Sequence, residues 1–420
     1  MAYLTLVVAS DALGLVGTYW FDPYNRAYAT GRMQAEVVPT MVHILGLASL
    51  AFGLALTDRR ASPISRQLTR GGKEDLKVAG WTLAVMGIGM KMLALYLWGI
   101  RSLAEYLDVL YAYDVSTREF GLLDQGVAIA AFGMALLAIC YEPHRILQAS
   151  LLTGALVLSV LLSTSKSGLF LTIIPFYLLS KTFSTKTLKA WSRLPVLGLG
   201  AVLFVVGLGV KTQVKYGGLA RVDFTPQVLV DVASSTVQRR FSGSGLYQGY
   251  TFLVNRLIED PSKGLHFAVI GGIFTGIIPR FVWNEIFLTE KPQHPFHAMG
   301  RLIHEDYLVA EDTNYAPTLV GFAFADFGFW TLIPYLLLGG MLLGRIRRFA
   351  TSTRANILVL TGYVFFASLL GPAISETGFL NILYAGIWAA LLMLVARAVL
   401  ALRPASKVTA ARTVFCRKPS

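Results

Sequence analysis

From Arg239 to about Asp326 the chain gathers the residue types that carry polar chemistry, in a sequence otherwise made of long apolar runs. The segment opens on QRRFSGSG, passes through GIIPRFVWNEIFLTEKPQHPFH and closes on EDTNYAPTLVGFAFADFG. Its cations, with their near neighbours, include Lys211, Lys215, Arg221, Arg239, Arg240, Arg280, Lys291 and Arg301. Guanidinium forks match the oxygens of a phosphate two at a time, so an anionic ligand, a phosphate or pyrophosphate, is the expectation. The plainer reading has each arginine snorkelling to lipid headgroups or pairing with Glu259, Asp260, Glu285 or Glu290. Prolines interleaved with the cations favour a built site over scattered snorkelling.

His294, His297 and His304 follow closely, with Glu305, Asp306, Glu311 and Asp312. A histidine or carboxylate beside cations suits general-base work, taking a proton from a sugar hydroxyl as it attacks. His294, His297, Glu311 and Asp312 are the candidates for that role, against the alternative of ordinary polar loop residues. Neither an HExxH spacing nor a paired-aspartate DxD occurs, so no metal is expected. Nucleotide-binding and hydrolase signatures (GxGxxG after a strand, GxxxxGK[ST], GxSxG) are also missing, so no cofactor is expected and the energy of any reaction must arrive with the substrate.

The elements that must position these residues follow from composition. In 420 residues, 55% of side chains are hydrophobic and 15% charged, and the mean hydropathy is +0.59. That describes an all-α polytopic membrane protein. Apolar runs of about 17–25 residues place helices near 2–20, 39–57, 78–100, 125–141, 146–162, 168–180, 194–211, 316–344, 355–372 and 378–401. These are about ten transmembrane helices. The apolar N-terminus has no Lys or Arg ahead of it, which favours a first span over a signal peptide.

The formal charge of +13 is carried mostly by short links, and with this distribution it points to membrane topology and not to nucleic acid. Cations crowd the links after the second, sixth and eighth spans and the tail, and an even count puts all of them on the cytoplasmic face. Acids such as Glu105 and Asp108 fall on the opposite face. The chain then divides into residues 1–211, the first seven spans; residues 212–315, one large external loop forming a cap; and residues 316–420, three spans and a basic tail. Within the loop, Val228–Ile258 reads as an interfacial amphipathic stretch. LHFAVIGGIFTGIIP at 265–279 is too short to span and reads as re-entrant or surface-lying.

Three further positions stand out. Lys166 lies in STSKSG, the outer tip of a tight helical hairpin, where a cation near hydrocarbon implies a partner or ligand unless it snorkels. Lys91 and Asp11 fall inside spans and read as a structural ion pair facing the bundle interior. Cys140 and Cys416 are far apart, with no disulfide or metal spacing.

The span arrangement, STSKSG at a hairpin tip, and the stretches RRFSGSG, IPRFVWNEIFLTEKP and NYAPTLVGFAFADFGFWTLIPYLLLG together resemble the Wzy-type O-antigen or oligosaccharide repeat-unit polymerases of bacterial inner membranes. The family, like the related O-antigen ligases, often has Arg where this chain has Lys166, so a cation is kept without the bidentate fork. The resemblance implies a GT-C type membrane glycosyltransferase using undecaprenyl-pyrophosphate-linked glycans as donor and acceptor, without nucleotide or metal. Its site would face the periplasm, and a flippase and a chain-length regulator are implied as further partners. Lys166, Arg239, Arg240, Arg280 and Lys291 would then hold the donor pyrophosphate. A ligase moving finished glycan to another acceptor shares this chemistry. A transporter of lipid-linked sugars would place its site near the midplane between repeated halves, and a scaffold would not need such a cap.

Overall fold

The computed structural model describes residues 26–58, 70–97, 99–102, 105–106, 125–141, 144–162, 170–183, 202, 205–210, 212–213, 221–241, 246–269, 271, 280–289, 318–352, 356–372 and 378–402. Every regular element among them is helical: α1 (Arg26–Asp58), α2 (Arg70–Leu97), α3 (Gly126–Cys140), α4 (Arg145–Leu162), α5 (Phe170–Thr182), α6 (Pro226–Phe241), α7 (Leu246–Glu259), α8 (Arg280–Phe287), α9 (Thr318–Ala325), α10 (Phe329–Thr351), α11 (Ile357–Pro372) and α12 (Gly378–Ala401), with a 3-10 turn at Pro261–Lys263. Val37–Thr57, Gly71–Leu97 and Phe329–Thr351 are long and apolar enough to cross a membrane. Shorter apolar helices run over Gly126–Cys140, Ile146–Ser159, Ile357–Leu370 and Gly386–Ala401. By its described residues the chain is an all-helical membrane protein.

Two helices are apolar all round and are buried accordingly. In α3, GVAIAAFGMALLAIC, all residues but Met134 are buried, enclosed by α2, α4 and α5. In α9, TLVGFAFA, all are buried, between α1, α7, α10 and α12. Around them Phe132, Phe322, Phe365, Leu332 and Leu336 join one apolar core.

Lipid tails are as apolar as leucine, so helices in a bilayer are held by close packing rather than by hydrophobic burial. Small residues therefore decide which helices touch. The contact of α2 with α3 is built on glycines two turns apart on each helix: Gly87 lies against Gly126 and Ala130 backbone, and Gly133 against Ala84 and Gly80. The contact of α1 with α10 repeats the device, Gly53 meeting the Leu337 carbonyl and Gly340 the Leu50 carbonyl. The Thr57 hydroxyl donates to the Met341 carbonyl at 3.2 Å.

The hairpin expected around STSKSG has its two helices in contact. Ser159 Oγ and Thr172 Oγ1 are 3.0 Å apart, and Thr172 also donates to the Ala155 carbonyl at 3.2 Å. The tip itself, with Lys166, lies outside the described residues. At the end of α4 the Tyr106 hydroxyl donates to the Leu162 carbonyl at 2.9 Å. Lys91, 2% exposed, sits with its ammonium 5.7 Å from the Tyr106 ring centre. It faces the bundle interior as expected, while Asp11 lies outside the described residues.

Besides α10, which runs on to Thr351 past the expected end at 344, helix ends differ from the sequence expectation in three places. First, α1 begins at Arg26 instead of 39, because Pro39 sits inside the helix and not at its start. Second, α2 begins at Arg70 instead of 78, its first turns carrying cations, with Lys77 paired to Glu74 at 2.8 Å. Third, the single helix expected over 316–344 is two helices, broken at Asp326–Gly328. Gly328 there adopts φ +59°, a left-handed conformation open to glycine. The expected span at 2–20 lies outside the described residues, and of 194–211 only residues 202 and 205–210 are described as helical.

Replacing Gly87 with Val should lower the melting temperature of the detergent-purified protein, since the added carbons meet backbone that can move only with its whole helix; overpacking of this kind costs about 1–3 kcal/mol. Gly89→Ala, in the same helix but with nothing within 4 Å of the new carbon, should leave the melting temperature unchanged or slightly higher. Equal melting temperatures for Gly87→Val and wild type would contradict glycine-set packing.

Candidate functional site

The segment that concentrates polar chemistry is tied to the bundle at both of its ends. At one end α7 presents Tyr250, Leu253, Val254 and Leu257 as one buried stripe with the three-and-four spacing of a helix face, packed on α1 and α9. The Tyr250 hydroxyl donates to the Pro39 carbonyl at 2.8 Å, and its ring meets His43 edge-on at 5.2 Å. The expected interfacial stretch Val228–Ile258 is therefore two helices. On α6 only Leu229 and Ala233 are buried among the residues whose side chains are described, whereas α7 belongs to the core.

At the other end stands Asp326, fully buried at the break between α9 and α10. Its carboxylate accepts the Val269 N–H at 3.1 Å through one oxygen and the Tyr335 hydroxyl at 3.3 Å through the other. The backbone alongside adds Leu265 N–H to the Ala325 carbonyl at 2.8 Å and His266 N–H to the Asp326 carbonyl at 3.4 Å. Gly264 lies so close that a β-carbon would come 2.6 Å from the Asp326 carbonyl oxygen. A buried carboxylate is costly unless its lone pairs are filled, and here a loop distant in sequence helps to fill them.

Between the two ends the chain turns at Asp260, whose carboxylate accepts the Ser262 hydroxyl and N–H and caps the turn Pro261–Lys263. The Ser262 hydroxyl, the largest influence, holds the Asp260 carboxyl below its ordinary range. The hydrogen bonds to the charged form are thus present above the ordinary aspartate range and are lost as pH falls through the lowered value.

The candidate binding residues are placed only in part. Arg239 and Arg240 lie near the C-terminal end of α6, and Arg280 is the first residue of α8. Their side chains, together with Lys166, Lys291, His294, His297, Glu311 and Asp312, lie outside the described residues. Of the stretch 265–279, residues 265–269 and 271 are described, with 265, 266 and 269 bonded to the α9–α10 break. The sequence reading missed Asp326 as an anchor, naming it only as the end of the polar segment. The available signal was an acid inside the apolar run GFAFADFGFW, where a carboxylate demands a partner.

Asp326→Ala should free the 264–271 segment, leaving the Val269 N–H without its acceptor at about 1–3 kcal/mol. Hydrogen exchange at Leu265, His266 and Val269 should speed up roughly tenfold or more, with peptides from α3 unchanged. Tyr335→Phe should show a smaller effect, and equal exchange in Asp326→Ala and wild type would remove the anchor role. No protein-family model matches this chain, and no curated protein or solved structure is significantly similar to it.

Proposed function

We propose that the chain is a membrane glycosyltransferase that polymerises undecaprenyl-pyrophosphate-linked oligosaccharide repeat units into a bacterial surface polysaccharide, on the periplasmic face of the inner membrane. The observation that carries this reading is the concentration of Arg239, Arg240, Arg280 and Lys291 with His294, His297, Glu311 and Asp312 in one segment of an otherwise apolar membrane chain. Two observations lend support: within this segment α7, between Arg240 and Arg280, is packed into the core, and Asp326 closes the segment.

In the reaction a hydroxyl of the acceptor sugar attacks the anomeric carbon of the donor glycan. A new glycosidic C–O bond forms as the bond from that carbon to the pyrophosphate oxygen breaks, and the pyrophosphate leaves with the electron pair. One of His294, His297, Glu311 or Asp312 takes the hydroxyl proton. The leaving group gains negative charge as it departs, so preorganised cations stabilise the transition state more than the ground state. Arg239, Arg240, Arg280, Lys291 and Lys166 supply those cations, and the apolar helices hold the polyprenyl chains. Flippase and chain-length regulator are its partners in this reading, and no metal takes part.

Purified protein incubated with a lipid-linked repeat unit should yield a ladder of polymer. Arg280→Ala should reduce the ladder on the order of 100-fold or more at unchanged protein level, and EDTA should leave it intact. A single product on a different acceptor would establish a ligase instead. Movement of the lipid-linked sugar across the membrane with no covalent product would establish a transporter.

A further inference from the structure

The loop carrying Asp260–Gly271 is divided by chemistry. Ser262 is exposed and polar, with Asp260 bonded to it, whereas Phe267 presents 59% of its surface. The backbone is bent to achieve this. His266 and Phe267 both adopt left-handed conformations, φ +47° and +68°, which residues with a β-carbon disfavour. They are kept there by the neighbouring bonds of Leu265, His266 and Val269 to Ala325 and Asp326. Val269 points into the core as a result, and Phe267 points out.

Phe267 does not stand alone. Its ring meets Phe327 edge-on at 4.6 Å, and His266 lies 5.3 Å from the same ring. Phe329 is half exposed beside it in sequence, and Trp330 is 88% exposed. Phe327, Phe329 and Trp330 thus stand at the start of α10, with Phe267 and His266 against the first of them. The far end of that helix carries Arg345, Arg347 and Arg348, and exposed apolar side chains at Ile333, Leu338 and Leu342 lie between the aromatics and the arginines. Apolar length bounded by aromatics at one end and cations at the other is the signature of a span crossing from one headgroup layer to the next.

We infer that Phe267, Phe327, Phe329 and Trp330 form a lipid-facing anchor that seats the 260–271 loop in the bilayer headgroup layer at the end of α10 opposite its arginines. The occupant is lipid because exposed Phe329 and Trp330 open a helix long and apolar enough to span, and Phe267 packs on Phe327 just ahead of them. An aromatic ring with an adjoining polar handle, here His266 and the Asp260–Ser262 turn, suits a layer that is apolar on one side and wet on the other. The inference concerns where the loop sits and stands independently of the reaction proposed above.

The test uses the full chain with Cys140 and Cys416 replaced by Ala, reconstituted in nanodiscs of phosphatidylethanolamine and phosphatidylglycerol. Single cysteines at Phe267→Cys, Trp330→Cys and Ser262→Cys are spin-labelled, and their collision rates with oxygen and with a water-soluble nickel chelate are compared. Labels at 267 and 330 should favour oxygen, and the label at 262 the chelate. Ala268→Cys, at an exposed neighbouring position, reads the same loop should Phe267→Cys fail to fold. Preference for the chelate at the loop position would overturn the anchor. So would spin–spin broadening between labels at 267, which would identify a second copy of the chain as the occupant.

Discussion

The constraint on which this fold rests is how closely two helix backbones can approach when no water is present to drive them together. At Gly53 against Leu337 and at Gly87 against Gly126, the chains meet without side chains between them. Contact at that range brings α-carbon hydrogens to carbonyl oxygens and multiplies dispersion contacts, the terms that remain available in lipid. It also confers selectivity. A helix offering glycine at the matching heights fits, and one offering valine or leucine does not, so the same residues that bind α1 to α10 and α2 to α3 keep them from pairing otherwise. The apolar runs make the chain enter a membrane, and the glycines determine which neighbours its helices keep.

On that frame the polar residues take up a few strongly determined positions. Lys91 lies against the Tyr106 ring, and Tyr106 is bonded to the end of α4. Asp326 is enclosed by a loop amide and a hydroxyl of its own following helix. In both cases a group that hydrocarbon penalises is kept by fastening a connecting segment to a helix end. Burial of the polar group and order in the connection are therefore one requirement, and losing the partner would unsettle both.

Much of the helical layout was legible because apolar runs with charged or turn-rich flanks leave little freedom. The stretches 125–141, 146–162, 168–180, 355–372 and 378–401 come close to α3, α4, α5, α11 and α12. Departures arise where a local signal was overruled by distant contacts. Pro39 looks like a first turn yet lies within α1, in reach of Tyr250 on α7. The charged start of α2 reads as a link but continues the helix. The break at Asp326 was hidden because hydropathy alone cannot tell a continuous helix from two shorter apolar ones in succession. The candidate cations and bases were legible as types and as a cluster, but which of them meet around a ligand depends on tertiary placement that spacing does not encode. Asp326 was missed for the same reason, its partner Val269 being 57 residues away.

The seam between α1 and α10 joins residues as far apart as Thr57 and Met341, 284 positions along the chain. During synthesis α1 is inserted long before α10 exists, so its glycine face must spend that interval without its final partner. Until then the Thr57 hydroxyl has only the Gly53 and Leu54 carbonyls of its own helix to bond. Completion of this seam depends on one late event, the arrival of α10, and a chain truncated before Phe329 would leave that face permanently open.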